Sequence, residues 1–171
     1  MLYFLRHLVS VLLLPFTVAV IVPLFLLTDD KTRSLRPNST SFRVLLIVAG
    51  LVLLAIGLTL FWFTVSQFAR RGKGTLAPWD PPRVLVVEGV YRYVRNPMIS
   101  GLLFVLLAEA LLTGSLPVLV WFGLFFVANL VYLPLFEEPG LKERFGDRYL
   151  TYQKNVPRWI PRATPWNPPW Q

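Results

Sequence analysis

From Leu8 to Leu27, from Val44 to Val65 and from Leu116 to Phe136 the chain carries no charged side chain. Each run has about the 20 residues needed to cross a hydrocarbon layer ~30 Å thick. Of the 171 residues, 55% are hydrophobic and only 15% are charged. Soluble domains carry about 25% charged residues, so a cytosolic globule is excluded as the simplest reading. With no Cys there are no disulfides, thiolate nucleophiles, Cys-ligated zinc or iron–sulfur centres, and a single His, His7, cannot build a His-rich metal site. No metal is expected.

The runs divide the chain into four spans. The first, Leu8–Leu27, contains Pro15 and Pro23, which a membrane helix tolerates where neighbours satisfy the freed carbonyls. It is too long for a signal-peptide core and no A-x-A-like site follows it, so it reads as retained. After a polar loop, 28–42, comes Val44–Val65. Residues 66–97 are polar and basic, with Gly-x-Gly and Pro-Pro turns and a short apolar run, Val84 to Val87, that fits a strand-like piece or the membrane surface. Asn96-Pro97 reads as a helix start, because Asn is a favoured N-cap and Pro suits the first helical position. Met98–Leu112 then makes a short span of about 22 Å, whose beginning suits the wall of a site. Thr113-Gly114-Ser115 turns into the fourth span, Leu116–Phe136, as an antiparallel hairpin. A polar tail, 137–171, ends in a Pro- and Trp-rich stretch that Trp159, Trp166 and Trp170 would hold at the interface.

The expected fold is therefore an all-α integral membrane protein with about four transmembrane helices. Residues 1–65 form an N-terminal helix pair, and 66–171 a core made of segment 66–97, hairpin 98–136 and tail 137–171. The net charge of +8 would suggest nucleic-acid binding in a soluble protein. Here the basic residues flank apolar spans, where they fix topology and meet anionic headgroups, so no nucleic-acid partner is expected. Thirteen of the 17 Lys and Arg lie on the face shared by the N-terminus, 66–97 and the tail; Lys31, Arg33, Arg36 and Arg43 lie on the other. The positive-inside rule then puts both termini in the cytoplasm, with the inner or plasma membrane as the location.

Two polar clusters adjoin spans on that same face: Gly89-Val90-Tyr91-Arg92-Tyr93-Val94-Arg95-Asn96-Pro97, and Glu137-Glu138 with Arg144, Arg148 and Tyr149. A helix N-terminus offers free N–H groups and a positive dipole end to a carboxylate or phosphate. Paired carboxylates suit an ammonium or ribose hydroxyls, so a pocket built from both suits an amino-acid-bearing nucleoside. The plainer alternative is that Arg92 and Arg95 anchor at the interface and pair with Glu137-Glu138 as surface ions, worth about 0–1 kcal/mol.

The stretch Arg95-Asn96-Pro97-Met98-Ile99-Ser100-Gly101, followed by Glu137-Glu138, resembles the R-H-P-x-Y-x-G … E-E signature of the isoprenylcysteine carboxyl methyltransferase and phospholipid methyltransferase superfamily. Gly72-Lys73-Gly74-Thr75-Leu76-Ala77-Pro78, Pro81-Pro82, Leu85-Val86, Gly89 to Tyr93, and Phe145-Gly146-Asp147-Arg148-Tyr149 with Tyr152 and Val156-Pro157 are similar to bacterial members. The resemblance spans residues 66–161. It implies an integral-membrane enzyme that uses S-adenosylmethionine (SAM) without a Rossmann domain and methylates a lipophilic acceptor drawn from the bilayer. The cofactor contacts it implies are Arg83, Val84, Leu85, Val86, Tyr91, Asn96, Pro97, Met98, Ile99, Gly101, Glu137 and Glu138. Glu138, Tyr149 and Arg95 become the catalytic candidates, with Tyr93 a further possible base.

Four departures accompany the matches. The family's His is Asn96 and its Tyr is Ile99; the interval from Gly101 to Glu137 is longer than in the eukaryotic pattern; and Leu133 stands where those enzymes carry a substrate-handling Arg one turn before Glu137. A carboxylate acceptor needs no general base, whereas an amine or phenol must lose a proton. Glu109 within the third span is a candidate for function, or is protonated or near the far interface beside Thr113, and Asn129 in the fourth is a candidate for function or for helix–helix hydrogen bonding. Two other functions fit the scaffold: a sterol-reductase-like membrane enzyme using NADPH, and a non-enzymatic protein in which Ile99 and Leu133 mark a decayed site.

Overall fold

The computed structural model describes residues 12–28, 35, 37–71 and 84–170, and among these every regular element is helical. A π-helical stretch, Leu12–Ile21, runs into α1 (Val22–Leu26). The longer helices are α2 (Thr40–Arg71), α3 (Pro97–Thr113) and α4 (Leu116–Tyr132), and the shorter ones α5 (Glu138–Phe145) and α6 (Asp147–Asn155). A 3₁₀ turn, Gly89–Arg92, precedes α3, and a π turn, Leu133–Glu137, joins α4 to α5. Pro15 lies inside the π stretch, where its missing N–H breaks the regular ladder. The Trp121 indole on α4 donates to Val18 O at 3.0 Å and ties this stretch to the bundle.

Three positions seven residues apart explain how α2 meets α3. Gly50, Gly57 and Thr64 are buried on one face of α2 while Leu51, Val52 and Leu58 beside them are exposed. A Cβ on Gly57 would lie 2.7 Å from Gly101 O, and one on Gly101 would lie 3.0 Å from Gly57 O. Only glycine on both helices permits this backbone approach. Packed this way, α3 is the covered helix: Leu102, Leu103, Val105, Leu106, Ala108 and Ala110 are buried, whereas α4 exposes Val120, Leu124, Val127 and Val131. The turn between them forms as expected. Gly114 adopts φ 65° and donates to Ala110 O at 2.9 Å, and the Ser115 hydroxyl accepts from Val118 N as the cap of α4.

Two helical stretches, Thr40–Gln67 and Leu116–Phe145, are long and apolar enough to cross a membrane, and the rest of the protein covers only 11% and 17% of them. Contiguous apolar exposure on this scale fits hydrocarbon rather than water as the surroundings.

The structure differs from the sequence reading at two places. Val84 to Val87 is irregular rather than strand-like, because four residues with no neighbouring strand among the described residues gain no ladder. Val87 instead packs with Tyr149, Tyr152 and Val156 in a small core, flanked by Leu85, Leu141, Phe145 and Trp166. The helix that carries the fourth apolar run does not end at Phe136, since the helical path continues through the π turn and α5 to Phe145. Pro134, without an N–H to donate, sits where the ladder widens. The tail begins with α5 and α6, and its Pro- and Trp-rich end, without regular structure, runs back along 92–95.

Candidate functional site

The N-terminal end of α3 gathers the polar residues. Asn96 is the N-cap and Pro97 opens the first turn, as expected, but the Asn96 side chain makes no capping hydrogen bond. Its carbonyl accepts from Ser100 N at 3.1 Å and from the Ser100 hydroxyl at 3.0 Å. The first N–H groups of a 17-residue helix therefore face the site without a side-chain cap. Tyr91, in the 3₁₀ turn before it, is buried, and the Tyr152 hydroxyl donates to its carbonyl at 2.8 Å. Burial pushes the Tyr91 hydroxyl well above the usual phenol value, and Tyr152 and the Glu137 carboxylate push it further. The group is a protonated donor close to a carboxylate.

The two acidic residues separate in role. Glu138 is buried and its carboxylate is fully engaged. Arg95 Nη1 donates to Oε1 at 2.7 Å, Arg158 donates to both oxygens at 2.8 and 3.0 Å, and the Gln153 amide donates to Oε2 at 2.8 Å. Among the described residues this is a desolvated knot rather than a surface pair, so the plainer reading of these ions does not hold for Arg95. Arg92 turns elsewhere, to the backbone of Trp166 and the side chain of Asn167. Glu137 closes the π turn half-buried beside this knot.

Tyr149 is buried and accepts from Arg95 Nη1 at 3.3 Å. Burial and the Glu138 carboxylate push its hydroxyl up to about 12, against a smaller lowering by Arg95. A phenol held there keeps its proton at neutral pH. Tyr93 is half-buried, and its carbonyl accepts from Arg162 N at 3.0 Å.

The other expected contacts divide. Pro97 is buried and Met98 and Ile99 are half-buried in the first turn of α3. Gly101 faces α2, so its small size serves helix approach. Val84 is exposed, Leu85 half-buried, and Val86 buried. Arg83, the Gly72 to Pro82 motif, His7, Lys31, Arg33 and Arg36 lie outside the described residues. Leu133, at the position where the resemblance implies an Arg, is fully buried at the start of the π turn. Glu109 lies in the last turn of α3, about 20 Å from Asn96 at ~1.5 Å per residue, and is not part of this site. Asn129 donates to Phe125 O at 2.8 Å within its own helix. Arg158 and Gln153 went unrecognised in the sequence; an Arg directly after Val156-Pro157 was the available signal.

The fold and this polar end define a class: an all-helical membrane protein with a charged, tyrosine-rich site at one end of an apolar bundle. Residues 45–148 match the phospholipid methyltransferase family, and the chain belongs to it. It is 36% identical over 83 residues to protein-S-isoprenylcysteine O-methyltransferase B of Arabidopsis thaliana, covering 45% of this chain and 39% of the relative. It is 35% identical over 78 residues to protein-S-isoprenylcysteine O-methyltransferase of Schizosaccharomyces pombe, covering 46% and 33%. The match thus spans between a third and two-fifths of these relatives. Among the described residues, no group of three or more His, Cys, Asp or Glu could hold a metal ion.

Proposed function

We propose that the protein is an integral-membrane methyltransferase that binds SAM at the cytoplasmic face and methylates a lipophilic acceptor arriving from the bilayer. The reading includes four spans with both termini cytoplasmic, and a division into the helix pair 1–65 and a core 66–171. Its main support is the convergence at one bundle end of an uncapped helix N-terminus, the Tyr91 hydroxyl and the Glu137 carboxylate. Family membership carries the reaction type.

These residues fit the cofactor's chemistry. The backbone N–H groups at Met98 and Ile99 suit its carboxylate, with the positive end of the α3 dipole behind them. Glu137 suits its ammonium or ribose hydroxyls, and Tyr91 packs against it and donates. Bound there, SAM supplies an electrophilic methyl group. The protein's contribution is to orient the acceptor in line and to place charge around the transfer. Glu138, Arg95 and Tyr149 serve this site by fixing its walls: the carboxylate is occupied on both oxygens and the phenol keeps its proton. The buried Leu133 removes the expected cation for a prenylcysteine carboxylate, so both an S-isoprenylated cysteine peptide and a phospholipid belong in the acceptor assay.

A ligand that binds the native state raises its apparent stability. S-adenosylhomocysteine should therefore raise the melting temperature of the detergent-purified protein, and Glu137→Ala and Tyr91→Ala should abolish the rise. No rise in a folded, monodisperse wild type rejects the reading, and stabilisation by NADPH instead would favour a reductase.

A further inference from the structure

We propose that residues 156–167 form a clamp that sets the shape of the cofactor-binding segment 91–96, with Arg92 as its positioning residue. The inference rests on the site assignment above for its functional consequence, but its structural basis is independent of it. Segment 91–96 has little internal support. Beyond the 3₁₀ turn itself, the local backbone bonds seen among the described residues are Tyr91 N to Glu88 O, Tyr93 N to Val90 O and Val94 N to Val90 O. Its remaining backbone partners come largely from the end of the chain. Arg95 N donates to Pro157 O at 2.9 Å, Arg162 N to Tyr93 O at 3.0 Å and Trp166 N to Arg92 O at 3.0 Å. The Arg95 guanidinium adds a bond to Val156 O at 2.9 Å.

Arg92 locks the far end of this pairing. Its backbone carbonyl accepts from Trp166 N while its own Nε donates to Trp166 O at 2.9 Å, a reciprocal pair, and its Nη2 reaches Asn167 Oδ1. Trp166 is seated in turn against the rings of Tyr152 and Trp170, with centroids 6.0 and 5.6 Å away. Tyr152 is the residue that bonds the Tyr91 carbonyl. One connected unit therefore holds both ends of the segment whose two termini carry the Tyr91 hydroxyl and the start of α3. A guanidinium suits this task because its planar fork addresses two acceptors at once, which an ammonium cannot reproduce.

The competing role for Arg92, an interfacial anchor, needs only positive charge, and that difference makes the test. Arg92→Ala and Arg92→Lys are compared with wild type in detergent by amide hydrogen exchange over 91–96 without ligand, and by the Kd for S-adenosylhomocysteine. The clamp predicts faster exchange in both variants and a Kd raised between about 2- and 30-fold in both, with the ligand-free melting temperature nearly unchanged. Asn167→Ala, which removes only the Nη2 acceptor, should give a smaller change in the same direction and serves if the Arg92 variants fold poorly. Wild-type exchange and Kd in Arg92→Lys would overturn the clamp in favour of an anchor, and unchanged exchange in Arg92→Ala would overturn it outright. If wild type binds no S-adenosylhomocysteine while the variants still exchange faster, the cofactor assignment fails and the clamp stands.

Discussion

The bundle and its polar end are held together by different physics. Between α2 and α3 the contact is backbone against backbone through Gly57 and Gly101, with large apolar side chains left facing outward. At the polar end one carboxylate, Glu138, collects Arg95, Arg158 and Gln153 from three separate stretches of chain, and the tail pairs with 92–95. In hydrocarbon, apolar burial offers little reason for helices to associate, so close packing must do it. At the polar end the described residues form a small apolar cluster around Val87, and charged hydrogen bonds supply the specificity.

If that division is right, the largest loss should come from the knot. Glu138→Ala leaves the nearly buried Arg95 and the partly exposed Arg158 without their anion and should cost at most about 3–5 kcal/mol, read as a large drop of the melting temperature, whereas Glu138→Gln should cost less. Next comes the helix contact. Gly57→Leu forces a side chain into the Gly101 carbonyl and should cost about 1–3 kcal/mol or prevent assembly, while Gly123→Ala, with open space around it, should be neutral. Equal effects of these two glycine variants would break the contrast.

A smaller effect, about 1 kcal/mol, is expected for Tyr152→Phe, which removes the hydroxyl bonded to Tyr91 O without emptying the core. The pH dependence sharpens the same region. Because the Tyr149 hydroxyl is raised to about 12, its protonated form is favoured by folding. That contribution is complete below about pH 10, the ordinary phenol value, and is lost as pH rises toward 12, so alkaline unfolding should be shallower in Tyr149→Phe. Identical alkaline melting curves would reject this. Least of all, Leu124→Met on the outward face of α4 should change stability by less than about 0.5 kcal/mol.

Legibility in the sequence followed the range of the interaction. The hairpin turn was readable because Gly114 and Ser115 act on neighbours within a few residues. Asn96-Pro97 gave the helix start, though not that the Asn96 side chain would leave the cap empty. The pairing of the two signature segments appeared only as a shared face; that Arg95 takes Glu138 while Arg92 takes Trp166 and Asn167 depends on bonds spanning 43, 74 and 75 residues. No local rule assigns such partners. The role of Arg158 is hidden for the same reason, and residue type leaves Val84 to Val87 open between a strand-like piece and a surface segment because it cannot say whether a neighbouring strand exists.

By itself, then, the sequence determined the solvent and the helices. Uncharged runs of membrane length have one low-energy solution, a helix with its backbone bonds satisfied internally, whatever surrounds it. It also carried the family signature. Tertiary structure alone decided that Glu138 is tied to Arg95, Arg158 and Gln153, and that Arg92 turns to Trp166 and Asn167. Those outcomes depend on where α4, α6 and the tail bring their side chains in space, and a buried charge takes whichever partners the completed fold places within reach.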